Sequence, residues 1–169
     1  NIIVCPKCRC SLDNKLCCKK CNTQYSKYYG VYDIVNPELS SNQEILWNII
    51  EEDLANKSNT NGRQSSEDDW TKDYFLRKNK ETIIAEQKLA DKTMVLLKGL
   101  HGDVCDLATG MGGMLQMILE SHNSNISIVC TDISKRVLAW TRKIKQTNDD
   151  KVSYIATDGR YMSIKDNSF

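Results

Sequence analysis

Cys5-Pro6-Lys7-Cys8 and Cys18-Lys19-Lys20-Cys21 form two matched C-x-x-C pairs with a short insert between them. Each pair aims two thiolates at one point, and two pairs complete the tetrahedral set of four sulfurs that a structural Zn²⁺ prefers. The expected metal ligands are therefore Cys5, Cys8, Cys18 and Cys21. Cys10 and Cys17 lie beside them without a matched spacing and read as bystanders. A redox role for one C-x-x-C pair is the alternative, but the strand–helix–strand surroundings expected of such a motif are missing. Lys7, Arg9, Lys15, Lys19 and Lys20 surround the thiolates and would offset their charge.

A second constellation runs through the other half of the chain. Asp103-Val104-Cys105-Asp106-Leu107-Ala108-Thr109-Gly110-Met111-Gly112-Gly113-Met114 takes an apolar run through a glycine turn into an apolar helix. Such a turn lets the backbone approach a ligand closely and points helix amides at it. Leu115 stands where a dinucleotide fingerprint wants its third small residue. Ser127 to Ile133 and Val152 to Asp158 read as two further buried strands, so Asp106, Asp132 and Asp158 all fall at strand ends. In an open parallel sheet that edge is where ligands bind. Asp132 suits the two hydroxyls of a ribose, and Asp158, with the Gly159 backbone beside it, suits an adenine amino group. Asp106 inside the turn would repel a pyrophosphate but suit an ammonium. An ammonium, a ribose and an adenine in line describe S-adenosylmethionine better than NAD. The plainer alternative is that Asp simply ends strands well.

The elements that would hold these groups follow from pattern. Asp13-Asn14 is expected to turn between short strands at Ser11-Leu12 and Leu16-Cys17, and Val31 to Val35 to add a third. About 35 residues bury too little to fold alone, so the metal would supply folding energy. Ser41 and Glu44 fit a capping box before a helix with Ile45, Leu46, Ile49, Ile50 and Leu54 on one face. Residues 56–69 are almost wholly polar and read as a mobile linker. Trp70, Tyr74, Phe75 and Leu76 begin an apolar cluster. Ile83, Ile84, Ala90, Met94 and Leu97 keep helical spacing up to a Gly99 cap, predicting a helix that covers the sheet. Ser134 should cap a helix carrying Val137, Leu138 and Ile144. The expected organisation is a zinc ribbon over 1–37, a helix and flexible linker over 38–69, and an α/β domain over 70–169.

The 169 residues carry a net charge of +1, so any polyanion contact needs a local patch. No apolar run approaches the ~20 residues of a membrane span, which points to a cytoplasmic protein without membrane contact. Cys105 and Cys130, far from the other cysteines, read as core residues.

The segment from Asp106 to Gly113 resembles the first motif of class I S-adenosylmethionine-dependent methyltransferases, with Ala108-Thr109 where Gly-Cys is common. Asp132-Ile133-Ser134 resembles their second motif, and Ala156 to Phe169 their third-strand region. The front, from Cys5 to Pro37, resembles the zinc ribbon preceding the methyltransferase domain of large-subunit ribosomal RNA guanine methyltransferases. The resemblance implies a Rossmann-like sheet, S-adenosylmethionine and Zn²⁺ as cofactors, and RNA as a partner. It also implies cofactor contacts at Asp106, Ala108, Gly110, Gly112, Gly113, Asp132, Ile133, Asp158 and Gly159. A small-molecule acceptor, or a ribbon-based interaction module without catalysis, are the competing readings. The resembled sheet has seven strands and this sequence supplies the first three. A fragment with little activity of its own is therefore expected, with an exposed strand-one edge inviting self-association. No catalytic residue can be assigned, since the acceptor-contacting motif of that family follows strand four.

Overall fold

The computed structural model describes residues 2–36, 38, 78–121, 126–145, 147 and 150–169. The expected helix after Ser41, the linker and the Trp70–Leu76 cluster fall outside the described residues. Among the described residues the chain is α/β, with five strands in one mixed sheet and three helices. The elements are β1 (Ser26–Tyr28), β2 (Val31–Asp33), α1 (Lys80–Leu97), β3 (Gly102–Leu107), α2 (Gly113–Glu120), β4 (Ile126–Asp132), α3 (Lys135–Lys145) and β5 (Val152–Ala156). A single 3₁₀ turn, Gly159–Tyr161, follows β5.

The strand order is β1-β2-β5-β4-β3. β3, β4 and β5 run parallel in sequence order, joined by α2 and α3. Ribbon strand β2 adds to the far side of β5, also parallel, pairing Tyr32 with Ile155 and Asp33 with Ala156. β1 closes that side antiparallel to β2. The β1–β2 hairpin escapes the sequence reading because its turn is Tyr29-Gly30 rather than Asn-Gly. Both residues have positive φ, 45° and 85°, as a two-residue hairpin turn demands. Gly30 is favoured there by its φ of 85°, and the Arg142 guanidinium lies against it, 2.7 Å from where a Cβ would project.

Alternation along the central strands builds two cores, one on each face. Ile126, Ile128 and Cys130 of β4 and Val152, Tyr154 and Ala156 of β5 pack under Leu115, Ile118, Leu138 and Leu97 from the helices. Val129 and Ile155 point the other way and pack with Ile3, Cys5, Leu12, Cys18, Tyr25, Ile34 and Ile164. The ribbon is therefore the second layer over the sheet. Its buried cysteines Cys5 and Cys18 share one apolar cluster with Val129 and Ile155 of the sheet.

Several local expectations shift. The 11–17 segment turns at Asp13, whose Oδ1 accepts from the Lys15 and Cys17 amides at 3.0 and 2.9 Å. Its flanks then bridge elsewhere, Ser11 to Val4 and Cys17 to Gln24, rather than to each other. α1 starts on an Asn79 cap, whose side chain accepts from Thr82 N at 2.8 Å. Among the described residues it packs through its C-terminal end: Leu97 is buried, whereas Ile83 and Ile84 are exposed. Lys98, not Gly99, caps it. Ser134 caps α3 as expected, its Oγ accepting from Val137 N at 3.3 Å. β3 pairs only with β4 among the described strands, and Leu107 at its end is exposed. Among the described residues no helix is long and apolar enough to cross a membrane.

A candidate metal centre beside a carboxylate-lined sheet edge

The ligand atoms of Cys5, Cys8, Cys18 and Cys21 lie within 4.8 Å of one another. Sγ–Sγ separations are 3.6 Å for Cys5–Cys21, 3.2 Å for Cys8–Cys18 and 3.9 Å for Cys8–Cys21. A tetrahedral zinc site with bonds of ~2.3 Å has sulfur–sulfur edges of about 3.8 Å. The four sulfurs can therefore hold a metal ion such as zinc. All the cysteines are free thiols. Cys10 and Cys17 stand outside the cluster, in keeping with their reading as bystanders.

The two knuckles repeat one backbone design. Arg9 N donates to Cys5 O at 2.8 Å and Cys5 N to Cys10 O at 2.8 Å. In the second knuckle Asn22 N donates to Cys18 O at 2.7 Å and Cys18 N to Thr23 O at 2.9 Å. Arg9 and Asn22, each directly after a second cysteine, have left-handed φ of 60° and 56°. Asn tolerates that conformation well and Arg does not, so the first knuckle carries more backbone strain.

Two hydroxyl groups that the sequence did not single out reach the sulfurs. Tyr25 Oη lies 3.3 Å from Cys5 Sγ, and Thr23 Oγ1 lies 3.2 Å from Cys21 Sγ. The Thr23 hydroxyl and the backbone hydrogen bond at Thr23 lower the Cys21 thiol to about 6, favouring the thiolate that a metal needs. Burial and the Cys5 sulfur raise the Tyr25 phenol, which stays a hydrogen-bond donor. Lys7 is held charged chiefly by Glu38, at 2.6 Å, with smaller help from Cys21 and Cys5. Thr23 was legible in hindsight, because it follows the second knuckle as Cys10 follows the first. Tyr25 carries no local signal.

At the carboxyl ends of the parallel strands the glycine turn crosses from β3 to α2. Ala108, Gly110 and Gly112 have φ of 57°, 52° and 76°. Gly112 is obligatory, since a Cβ there would meet Thr141 Cγ2 at 2.7 Å. The turn is pinned by Thr109 N to Thr131 O at 2.7 Å and by Thr141 Oγ1 donating to Gly110 O at 2.8 Å. Gly113 opens α2, exposed, and Ile133 lies half-buried after β4.

The three carboxylates differ. Asp106 is buried, and its Oδ2 has no hydrogen-bond partner among the described residues. Burial pushes its pKa up and the Asp132 charge adds to this, while Thr109 opposes it. Asp132 already serves the turn: Oδ2 accepts from Gly110 N at 2.9 Å and Oδ1 from Ser134 N at 3.0 Å. Asp158 caps the 3₁₀ turn through Arg160 N at 2.9 Å and pairs with the Arg160 guanidinium at 2.6 Å. Gly159 is exposed with open space where a side chain would project. Cys105 and Cys130 are raised by burial, Cys130 to about 12, and behave as inert packing residues.

No protein-family model matches the chain, and no curated protein matches it.

Proposed function

We propose that the chain is a class I S-adenosylmethionine-dependent methyltransferase with an N-terminal zinc ribbon, acting on RNA in the manner of the ribosomal RNA guanine enzymes it resembles. The observation that carries this reading is Asp106. A buried carboxylate oxygen without a partner is costly, and an ammonium beside it would repay that cost. A pyrophosphate would not.

The rest of the strand-end set fits the same ligand. Each Asp132 oxygen accepts one backbone N–H and keeps a lone pair for a ribose hydroxyl. The open Gly159 backbone leaves room for a flat ring near Asp158. When bound, the cofactor supplies a methyl group on a sulfonium for displacement by the acceptor atom. The protein's part is to orient the two reactants and exclude water. Exposed Lys15, Lys19 and Lys20 on the ribbon support a polyanionic acceptor.

Calorimetric titration of the full chain with S-adenosylhomocysteine tests the cofactor. Binding that is lost in Asp106→Asn is expected, and no binding by the wild type would overturn the proposal. Binding of RNA fragments that weakens steeply with salt tests the acceptor. The second reading, a zinc-ribbon interaction module whose sheet binds no cofactor, draws on Asp158 being engaged by its own Arg160. The same titration separates the two.

A further inference from the structure

The segment after β5 is strapped to the ribbon. Val4 N donates to Ser163 O at 2.8 Å, Lys165 N donates to Ile2 O at 2.8 Å, and Ile3 bridges Ile164 antiparallel. Ser163 is fully buried, its amide donating to Thr157 Oγ1 at 3.0 Å and its hydroxyl to Ile34 O at 3.4 Å. Arg9 completes the strap. Its guanidinium donates to Met162 O, to Ile164 O at 2.7 Å and to Asp166 Oδ1 at 2.6 Å.

Arg9 is also part of the metal knuckle. It follows Cys8 directly, its amide donates to Cys5 O, and its φ of 60° is held by the turn that presents both thiolates. An arginine backbone does not choose that left-handed conformation unaided. The cysteine cluster therefore holds the backbone from which the guanidinium fork reaches out. The rigid fork engages two carbonyls and a carboxylate at once from pre-set directions, a pre-organisation that a flexible ammonium lacks. The segment so fixed begins directly after Asp158, Gly159 and the 3₁₀ turn.

We propose that Arg9 is a positioning residue, through which metal bound at Cys5, Cys8, Cys18 and Cys21 sets the placement of residues 158–166 at the ligand edge of the sheet. The link needs only the metal reading of the cysteines and is indifferent to which ligand the sheet takes. A chain whose metal was removed would keep much of its helix-side core and loosen this strap first.

Hydrogen exchange resolved to single amides tests it on the full zinc-loaded chain, with zinc content measured beforehand. Chelation is expected to speed exchange at the Ser163 and Lys165 amides about tenfold while Ile128 and Cys130 in β4 change less than about twofold. In Arg9→Ala the same amides should exchange faster with zinc still bound, and chelation should alter them at least about threefold less than in the wild type. Arg9→Lys, retaining charge but not the fork, is the second variant should Arg9→Ala fail to hold zinc, with the same expected drop. Equal acceleration in β4, no acceleration at Ser163 and Lys165, or an undiminished chelation effect in the variant that holds zinc would each overturn the inference. A chain containing no zinc overturns the metal reading and the inference together, whereas zinc with an insensitive strap overturns the inference alone.

Discussion

The ribbon face and the helix face of the sheet solve the same burial problem by different means. Under the helices, Leu115, Ile118 and Leu138 meet Ile128, Cys130 and Tyr154 in an ordinary apolar core. Under the ribbon, two of the fully buried residues are cysteines whose sulfurs converge on a point, and Val129, Ile155 and Ile164 pack against them. Apolar packing tolerates small errors of shape, but a four-sulfur centre does not, since each thiolate must meet the same ion. One face should therefore fail gradually and the other abruptly.

The largest expected effect follows from that contrast. Cys18→Ser removes a fully buried candidate metal ligand, forfeiting several kcal/mol of the roughly 10–16 kcal/mol that a structural zinc can supply. Because Val129 and Ile155 share the cluster, the loss should reach the sheet, visible as weakened exchange protection in β5 and a lowered thermal midpoint. A ribbon that melts while β5 stays fully protected would show that the shared core transmits nothing.

Next is Asp132→Ala, which is expected to weaken S-adenosylhomocysteine binding by roughly 1.5–3 kcal/mol. The variant also frees the Gly110 and Ser134 amides, so part of the loss comes from the turn itself. Unchanged affinity by calorimetry would remove Asp132 from the ribose role.

Asp106→Asn should act in opposite directions on stability and binding. The folded carboxyl has a raised pKa, so its protonated form is favoured by folding and stability falls as pH rises through the raised value. The variant lacks that fall. Its advantage in chemical denaturation should grow from acid to neutral pH, reaching about 1–2 kcal/mol, while ligand binding is lost. A variant less stable than the wild type at neutral pH would mean that Asp106 is satisfied by something other than a ligand.

Ala108→Gly should have the smallest effect. Relief of a left-handed alanine, worth about 1–2 kcal/mol, is offset by the greater freedom of glycine in the unfolded chain, about 0.4–1 kcal/mol. A net gain within about 1 kcal/mol in urea midpoint is expected. A clear loss would show that the methyl group packs against something the turn needs.

The four cysteines were legible because a knuckle is a local object: spacing within four residues fixes where two thiolates point, and Cys5, Cys8, Cys18 and Cys21 come together as their spacing says. The parallel strands β3, β4 and β5 were legible for the same reason, each being a short apolar run ended by Asp or a glycine turn. What the pattern could not contain is contact between distant segments. Nothing in Val31 to Asp33 announces that it will pair with β5, and nothing in Arg9 announces Met162 and Ile164 as its partners. Hydrogen bonding along a strand edge is made by backbone, which every sequence offers alike, so partner choice is decided by which surfaces are left to bury. Side-chain chemistry placed Asp106, Asp132 and Asp158 at strand ends; only the folded chain decided that Asp132 and Asp158 accept from the nearby Ser134 and Arg160 amides, while Asp106 keeps an oxygen unpaired among the described residues.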